Sequence, residues 1–180
     1  MSVALLVIDV QESFRHSPGW PEQDLPAYLD AQNRLIAGAR AAGCPIVRVF
    51  HEDGDTHFSR ASGHVVALAG SDSGAEHTVY KHVHSALVDT GLPDWLRARG
   101  ITRLIISGIR SEQCCETTAR HASDLGFDVD YVTEATMTFP RRHPNGREFS
   151  TAEIKERVEL ALYGRFATLH TVDSVLATLS

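Results

Sequence analysis

The sequence predicts an α/β fold of three layers, in which helices cover both faces of a doubly wound, mostly parallel sheet of six strands. Short apolar segments alternate along the chain with longer segments of helical periodicity. Glycines follow several of the helical segments, where they are typical stop signals. Parallel strands need crossover connections, and helices between the strands supply them.

Six segments are predicted as strands. The first is a continuous apolar run that only Asp9 interrupts, as is typical of a central strand buried on both faces. Pro45 precedes the second, which reads Ile46 to Phe50. The predicted strands are 3–10, 46–50, 79–81, 103–107, 127–132 and 166–171.

The helical segments have apolar residues at helical spacing. In the first of them Leu35, Ile36 and Ala39 share one face, and Gly43 ends the pattern. The predicted helices are 28–42, 92–99, 115–125 and 151–163, and a last one begins at Asp173. Segments 51–78 and 137–150 show no clear periodicity, and loops of that length are often functional.

The composition indicates an ordinary globular protein. The 180 residues are 43% hydrophobic and 22% charged, which fits one domain over residues 1–180. The formal net charge is −6, and the basic cluster Arg141–Arg142–His143 is too small to predict nucleic-acid binding. We expect neither a signal peptide nor a membrane span, because no apolar stretch approaches the roughly 20 residues that a span needs.

The three cysteines predict free thiols. Their number is odd and their spacing is not that of a disulfide framework. Cys114 and Cys115 are adjacent, a geometry in which disulfides rarely form without strain, so a redox pair is disfavoured. No second pair follows them, which argues against a zinc site. We therefore expect a cytoplasmic protein, with Cys44 and Cys115 as buried packing residues.

Three polar residues lie where open α/β sheets bind ligands, at the carboxyl ends of strands. Asp9 lies near the end of the first strand, Lys81 ends the third, and Cys114 follows the fourth at the start of a helix. A helix N-terminus and a nearby cation both favour a thiolate, so this set predicts a cysteine with a lowered pKa. Each residue also has a structural interpretation: a turn cap, a solvated lysine and a buried packing cysteine.

Four segments together resemble the isochorismatase-like (nicotinamidase-like) cysteine hydrolase family. They are residues 6–11, 81–92, 108–120 and 125–135, in the order and at the spacing of the family. The resemblance implies an isochorismatase-like hydrolase fold in which Asp9, Lys81 and Cys114 are catalytic and Cys114, rather than Cys115, is the nucleophile. The implied reaction is hydrolysis of a small non-peptide amide through a thioester.

Two alternatives stay open beside that reaction. Family members without the cysteine, such as the true isochorismatases, cleave a vinyl ether, so vinyl-ether hydrolysis is one alternative. The other is a non-catalytic protein that binds a metabolite in the same pocket. The presence of Asp9, Lys81 and Cys114 together disfavours the second alternative.

The resemblance also implies features around the nucleophile. It places a cis peptide bond between Ile109 and Arg110 and an oxyanion hole at the backbone amides of Arg110 and Cys114. Gln11 could brace Asp9 or simply begin a loop. The residues that we predict to contact substrate are Gln11, Phe14, His51 and Ile109.

A metal site is possible but not favoured. Nicotinamidases hold a divalent metal with one Asp and several His residues after the second strand, and His51 and His57 resemble two of these ligands. The family's aspartate is replaced by Val49, which cannot coordinate. Further ligands could come only from His64, His77, Asp53 or Asp55. An incomplete ligand set rarely makes a site, so we expect no metal and no other cofactor.

The partners expected from the resemblance are a small-molecule substrate and further copies of the chain, since family members commonly form homo-oligomers. Glu134 could reach the site from its strand end or cap a turn. Arg141 and Arg142 could meet an anionic substrate or be solvated loop charges.

Overall fold

The computed structural model describes residues 2–54 and 56–179, and it confirms the three-layer α/β/α fold. The strands are β1 (Val3–Ile8), β2 (Ile46–His51), β3 (His77–Lys81), β4 (Arg103–Ile109), β5 (Asp128–Met137), β6 (Arg141–Arg142), β7 (Glu148–Phe149) and β8 (Thr168–His170). Six of them form one sheet in the order β3–β2–β1–β4–β5–β8, and every neighbouring pair in it is parallel.

Five α-helices cover the two faces of this sheet. They are α1 (Leu25–Ala41), α2 (Leu92–Ala98), α3 (Glu116–Asp124), α4 (Thr151–Leu162) and α5 (Val172–Ala177). Alternate residues of β1 point to opposite faces. Leu5 belongs to the core formed with α1 and α5, and Leu6 to the core formed with α2, α3 and α4. The described helices include none with the length and apolar character that a membrane span needs.

The structure differs from the sequence prediction most clearly at β5 and in the segment that follows it. β5 continues to Met137, where the prediction ended it at 132, because its second half pairs with the end of β4 after a register shift between Ile106 and Gly108. β6 and β7 pair as an antiparallel hairpin inside the predicted loop 137–150. Two-residue strands are too short to produce a periodic pattern.

The carboxyl ends of β1, β3 and β4 lie at the same edge of the sheet. Asp9 follows β1, Lys81 is the last residue of β3, and Arg110 follows β4. Gly108 of β4 lies opposite Ile8 of β1. Its φ is +129°, and a Cβ there would be 1.9 Å from the carbonyl oxygen of Ile8, so only glycine lets the two strands approach this closely.

Candidate active site

Asp9 and Lys81 form a buried ion pair. Lys81 Nζ lies 2.7 Å from Asp9 Oδ2, and neither side chain has any exposed surface. Asp9 has a φ of +53°, a left-handed conformation that aspartate tolerates better than most residues. Its backbone N–H donates to the carbonyl of Val49, 2.9 Å away, which ties the turn to β2. Each charge is costly to bury alone, so the two side chains depend on each other.

The Lys81 ammonium also meets three other groups. It lies 3.4 Å from Cys114 Sγ, 3.2 Å from His51 Nδ1 and 3.1 Å from the carbonyl oxygen of Val83. Lys81 therefore contacts both of the other residues that the sequence singled out, Asp9 and Cys114. It does so although β2 separates β3 from β1 in the sheet.

Cys114 lies within a helical turn, not at the first residue of a helix. A π-helical turn, Ser111–Cys115, precedes α3. The helical segment therefore begins about one turn earlier than the sequence predicted, and Cys114 is the fourth residue of that turn. Cys114 is 6% exposed, whereas Cys115 and Cys44 are buried in the core, as predicted. The side chain beside the ion pair is thus the less buried of the two adjacent cysteines.

Hydrogen bonds from β5 hold the turn that carries Cys114. The Tyr131 hydroxyl donates to the carbonyl oxygen of Ser111 at 3.0 Å, and the Ser111 hydroxyl donates to Thr136 Oγ1 at 2.7 Å. All three residues are buried. No sequence motif pointed to these positioning residues, because their hydrogen bonds are tertiary contacts, and Thr136 lies in the part of β5 beyond the predicted strand.

The thiol of Cys114 is protonated in the resting site. Burial raises its pKa, and the negative charge of Asp9 raises it further, whereas Lys81 lowers it by less than these two effects together. The lowered pKa expected from the sequence is therefore wrong for the free protein. Burial lowers the pKa of Lys81, but Asp9 and Cys114 outweigh that effect and raise it above its ordinary value. The resting site thus holds one ammonium and a neutral thiol.

His51 borders the ion pair as a neutral imidazole. Burial, and then the charge of Lys81, lower its pKa. Gln11 holds the backbone of His51 on both sides: Nε2 donates to its carbonyl oxygen at 3.0 Å, and Oε1 accepts from its N–H at 2.8 Å. Gln11 Nε2 also donates to Ser13 Oγ at 3.0 Å. The buried Gln11 side chain therefore positions His51, while the Gln11 backbone N–H donates to the carbonyl oxygen of Asp9 at 2.9 Å. Contact of Gln11 with substrate stays a prediction.

An aromatic wall extends from His51. The ring of Phe58 lies 5.7 Å from that of His51 and 5.0 Å from that of Phe14, and Phe14 in turn lies 6.0 Å from Phe139. Phe14 was expected beside the pocket, whereas Phe58 and Phe139 were not singled out. Both missed residues lie in segments without periodicity, where only tertiary contacts reveal a role.

The peptide bond between Ile109 and Arg110 is cis, at the position that the resemblance implied. The Ile109 side chain is fully buried in the core with α1 and α5, and its contact with substrate stays a prediction. The Arg110 side chain instead faces the aromatic wall, with its guanidinium carbon 3.6 Å from the centre of the Phe139 ring.

Three other residues named from the sequence lie outside this site. Glu134 Oε2 accepts a hydrogen bond from the N–H of Val172 at 2.8 Å, so it caps α5. Arg141 Nη1 lies 3.7 Å from Glu112 Oε1, and Arg142 is exposed on the same β6–β7 hairpin.

The histidines of the metal hypothesis point to different partners. His51 Nδ1 faces the Lys81 ammonium, and His57 Nε2 lies 3.1 Å from Ser17 Oγ. His64 stacks on His16 and His77 on Trp95. Within residues 2–54 and 56–179 no group of three or more His, Cys, Asp or Glu side chains could hold a metal ion. Asp55 lies outside the described residues, and the absence of a metal stays a prediction.

Comparison with known proteins identifies the family of this chain. The model of the isochorismatase domain matches residues 3–164. The chain belongs to the isochorismatase family. A solved structure of an assigned isochorismatase from Burkholderia xenovorans LB400 is 31% identical, with a TM-score of 0.88 over 99% of this chain and 87% of that one.

Two named relatives of this isochorismatase-family chain are hydrolases. Streptothricin hydrolase from Streptomyces noursei is 34% identical over 76% of this chain and 50% of its own length, so the chain spans about half of that relative. Nicotinamidase 3 from Arabidopsis thaliana is 39% identical over 40% of this chain and 36% of its own length. The family assignment and these relatives support a hydrolase.

Proposed function

We propose that this isochorismatase-family hydrolase cleaves the C–N bond of a small non-peptide amide through a thioester on Cys114. The observation that carries the proposal is the buried arrangement in which Lys81 Nζ lies 2.7 Å from Asp9 Oδ2 and 3.4 Å from Cys114 Sγ. One relative is by name a nicotinamidase, an enzyme that acts on an amide, which favours amide over vinyl-ether hydrolysis.

The first step is formation of the nucleophile. Since the resting thiol is protonated, Asp9 takes its proton as the sulfur attacks the substrate carbonyl carbon. Asp9 Oδ1 accepts no hydrogen bond from the described residues and is therefore free to receive that proton. Lys81 keeps its positive charge beside the sulfur, and this charge stabilises the developing thiolate. The protons of Asp9, Lys81 and Cys114 move as one coupled set.

The tetrahedral intermediate carries a negative charge on the former carbonyl oxygen. We assign its stabilisation to the backbone N–H groups of Arg110 and Cys114, at the start and near the end of the π-helical turn. One such donor contributes about 3–4 kcal/mol in comparable sites. The amides are part of the backbone, so they need no reorganisation when the charge develops.

The remaining steps regenerate the site. Asp9 returns the proton to the departing nitrogen, the C–N bond breaks, and ammonia or an amine leaves a thioester on Cys114. Asp9 then removes a proton from water, and the resulting hydroxide attacks the thioester. The carboxylic acid product leaves, and Cys114 recovers its proton.

Ammonia release from a panel of small primary amides tests the proposal. We expect turnover by the native chain and by Cys115→Ala, the matched control, and loss of turnover in Cys114→Ala. Full turnover by Cys114→Ala would contradict a thioester mechanism. Release of pyruvate from a vinyl-ether substrate, with no ammonia from any amide, would favour the isochorismatase-type reaction.

A further inference from the structure

Arg110 carries a guanidinium that has no ion-pair partner among the described residues. Its carbon lies 3.6 Å from the centre of the Phe139 ring and 5.8 Å from that of Phe14. Its Nε is buried and has no hydrogen-bond partner in the part of the chain that the structure describes. The side chain is partly buried, so the charge is also partly removed from water.

Several arginines elsewhere in the chain are paired. Arg15 lies 3.0 Å from Glu22, and Arg40 lies 2.7 Å from Asp72. Arg48 Nε is also buried without a partner, but the two other nitrogens of that guanidinium donate to backbone carbonyl groups. A buried donor that lacks an acceptor is unfavourable in a folded protein and needs an explanation, for which a bound ligand is one.

The nearest acidic side chain is engaged elsewhere. Glu112 accepts a hydrogen bond from the Thr138 hydroxyl through Oε2, and its Oε1 lies 3.7 Å from Arg141. Glu112 therefore does not neutralise Arg110 by direct contact.

The guanidinium lies on the wall that leads to the reacting residues. Phe139 meets Phe14, Phe14 meets Phe58, and Phe58 meets His51, each by an edge-to-face ring contact. His51 then contacts the Lys81 ammonium at 3.2 Å. Arg110 is also the residue directly before the π-helical turn that carries Cys114. A small molecule held at Cys114 and directed toward the Phe139 end of this wall would therefore meet the Arg110 side chain.

We propose that the Arg110 guanidinium binds an anionic group of the substrate, so that the substrates are amides that carry a carboxylate at their other end. The inference rests on the proposed function and names its substrate class. The Arg110 guanidinium lies over the Phe139 ring. A guanidinium can bind a carboxylate through two parallel N–H groups on one edge, which match its two oxygens. Arg110 would thus contribute its backbone to the reacting carbonyl and its side chain to the distal carboxylate.

Binding of keto acids tests the inference without turnover. 4-Oxopentanoate and 5-oxohexanoate resemble ω-carbamoyl carboxylates in which a methyl group replaces the NH₂, and 2-pentanone and 2-hexanone are their neutral counterparts. We would measure their dissociation constants calorimetrically in Cys114→Ala, which cannot form a thiol adduct. Arg110→Gln in this background is expected to weaken keto-acid binding about 10- to 100-fold, the range for a charged hydrogen bond.

Two further variants make the test specific. Arg142→Gln removes the same charge from the exposed hairpin and is expected to change keto-acid binding by less than about 2-fold, because exposed charges are screened. Arg110→Lys keeps the charge but loses the paired N–H groups, so its affinity should lie between that of the Cys114→Ala parent and that of the Arg110→Gln variant. Equal losses in Arg110→Gln and Arg142→Gln, or keto acids that bind no better than ketones, would overturn the inference.

Ammonia release separates the inference from the proposed function. Succinamate and glutaramate should be hydrolysed with a higher kcat/KM than butanamide and pentanamide, and Arg110→Gln should reduce that preference by the factor seen in binding. Hydrolysis of the neutral amides alone would overturn the inference and leave the proposed function standing. Arg110-dependent keto-acid binding without hydrolysis of any amide would support the anion site and contradict the proposed function.

Discussion

Lys81 reaches across one strand to form its ion pair with Asp9. The two residues lie at the ends of β3 and β1, which are separated in the sheet by β2, yet Lys81 Nζ is 2.7 Å from Asp9 Oδ2. His51, the last residue of β2, lies beside this ion pair and contacts the same ammonium. The carboxyl ends of three strands are thus joined by a single buried cation.

Loss of this cation should destabilise the fold. Lys81→Met leaves the Asp9 carboxylate buried and unpaired, which typically costs about 3–5 kcal/mol of unfolding free energy. Chemical denaturation measures the change. The double variant Asp9→Asn/Lys81→Met removes both charges and should recover much of the loss. If Lys81→Met lowers the unfolding free energy by less than about 1 kcal/mol, the Asp9–Lys81 ion pair is exposed to solvent, which contradicts the structure.

Alkylation of Cys114 should respond to Asp9 and Lys81 in opposite directions. Asp9 raises the pKa of the thiol and Lys81 lowers it, so iodoacetamide should label Asp9→Asn faster, and Lys81→Met more slowly, than the native chain at about pH 7 to 9. Peptide mass spectrometry separates Cys114 from Cys115. Slower labelling of Asp9→Asn than of the native chain would contradict a thiol held protonated by its neighbouring carboxylate.

Acidification should weaken the fold through His51. Burial lowers the pKa of His51, so the unfolded chain binds a proton there more readily than the folded chain. The contribution of neutral His51 to stability is therefore present above about pH 6.5, its ordinary pKa, and is lost as the pH falls below it. Unfolding free energies of native and His51→Gln between about pH 5 and 8 measure this: the variant should show the shallower slope.

The matched control for that pH dependence is His143→Gln, which removes an exposed histidine from the β6–β7 hairpin. Its slope should equal that of the native chain. If His51→Gln has the same dependence of unfolding free energy on pH as the native chain, groups other than His51 cause the acid sensitivity.

Gly108 should tolerate no side chain. A Cβ at this position would lie 1.9 Å from Ile8 O, so Gly108→Ala must separate β4 from β1 beneath Asp9. We expect a loss of more than about 2 kcal/mol in unfolding free energy, together with loss of turnover. Gly146→Ala is the control, because Gly146 also has a positive φ but has no atom within 4 Å of the added Cβ. If Gly108→Ala and Gly146→Ala lose equal unfolding free energy, the positive φ alone explains the effect and the close approach of β4 to β1 does not contribute.

The fold and the shared location of Asp9, Lys81 and Cys114 could be predicted because their signals are local. A few residues are enough to predict the apolar strand before Asp9 and the short strand that ends at Lys81. Their order along the chain, with Cys114 after the fourth strand, places all three at one edge of a parallel sheet. The proximity of Asp9 and Lys81 followed from that placement.

The parts that could not be predicted depend on tertiary contacts. Gln11 holds the His51 backbone from a distant part of the chain, and Phe58 and Phe139 meet Phe14 from separate loops. The raised pKa of Cys114 depends on burial, which a helix N-terminus and a nearby lysine do not reveal. Assembly into a homo-oligomer stays a prediction, for which sedimentation analysis is the direct measurement.

The most direct test of the thioester mechanism is to trap the covalent intermediate. An amide substrate from the ammonia-release panel would be mixed with the native chain, quenched in acid during turnover and analysed by peptide mass spectrometry. We predict an acyl group on Cys114, also present in Cys115→Ala and absent in Cys114→Ala. Turnover without an acyl group on any cysteine, sustained in Cys114→Ala, would contradict the mechanism.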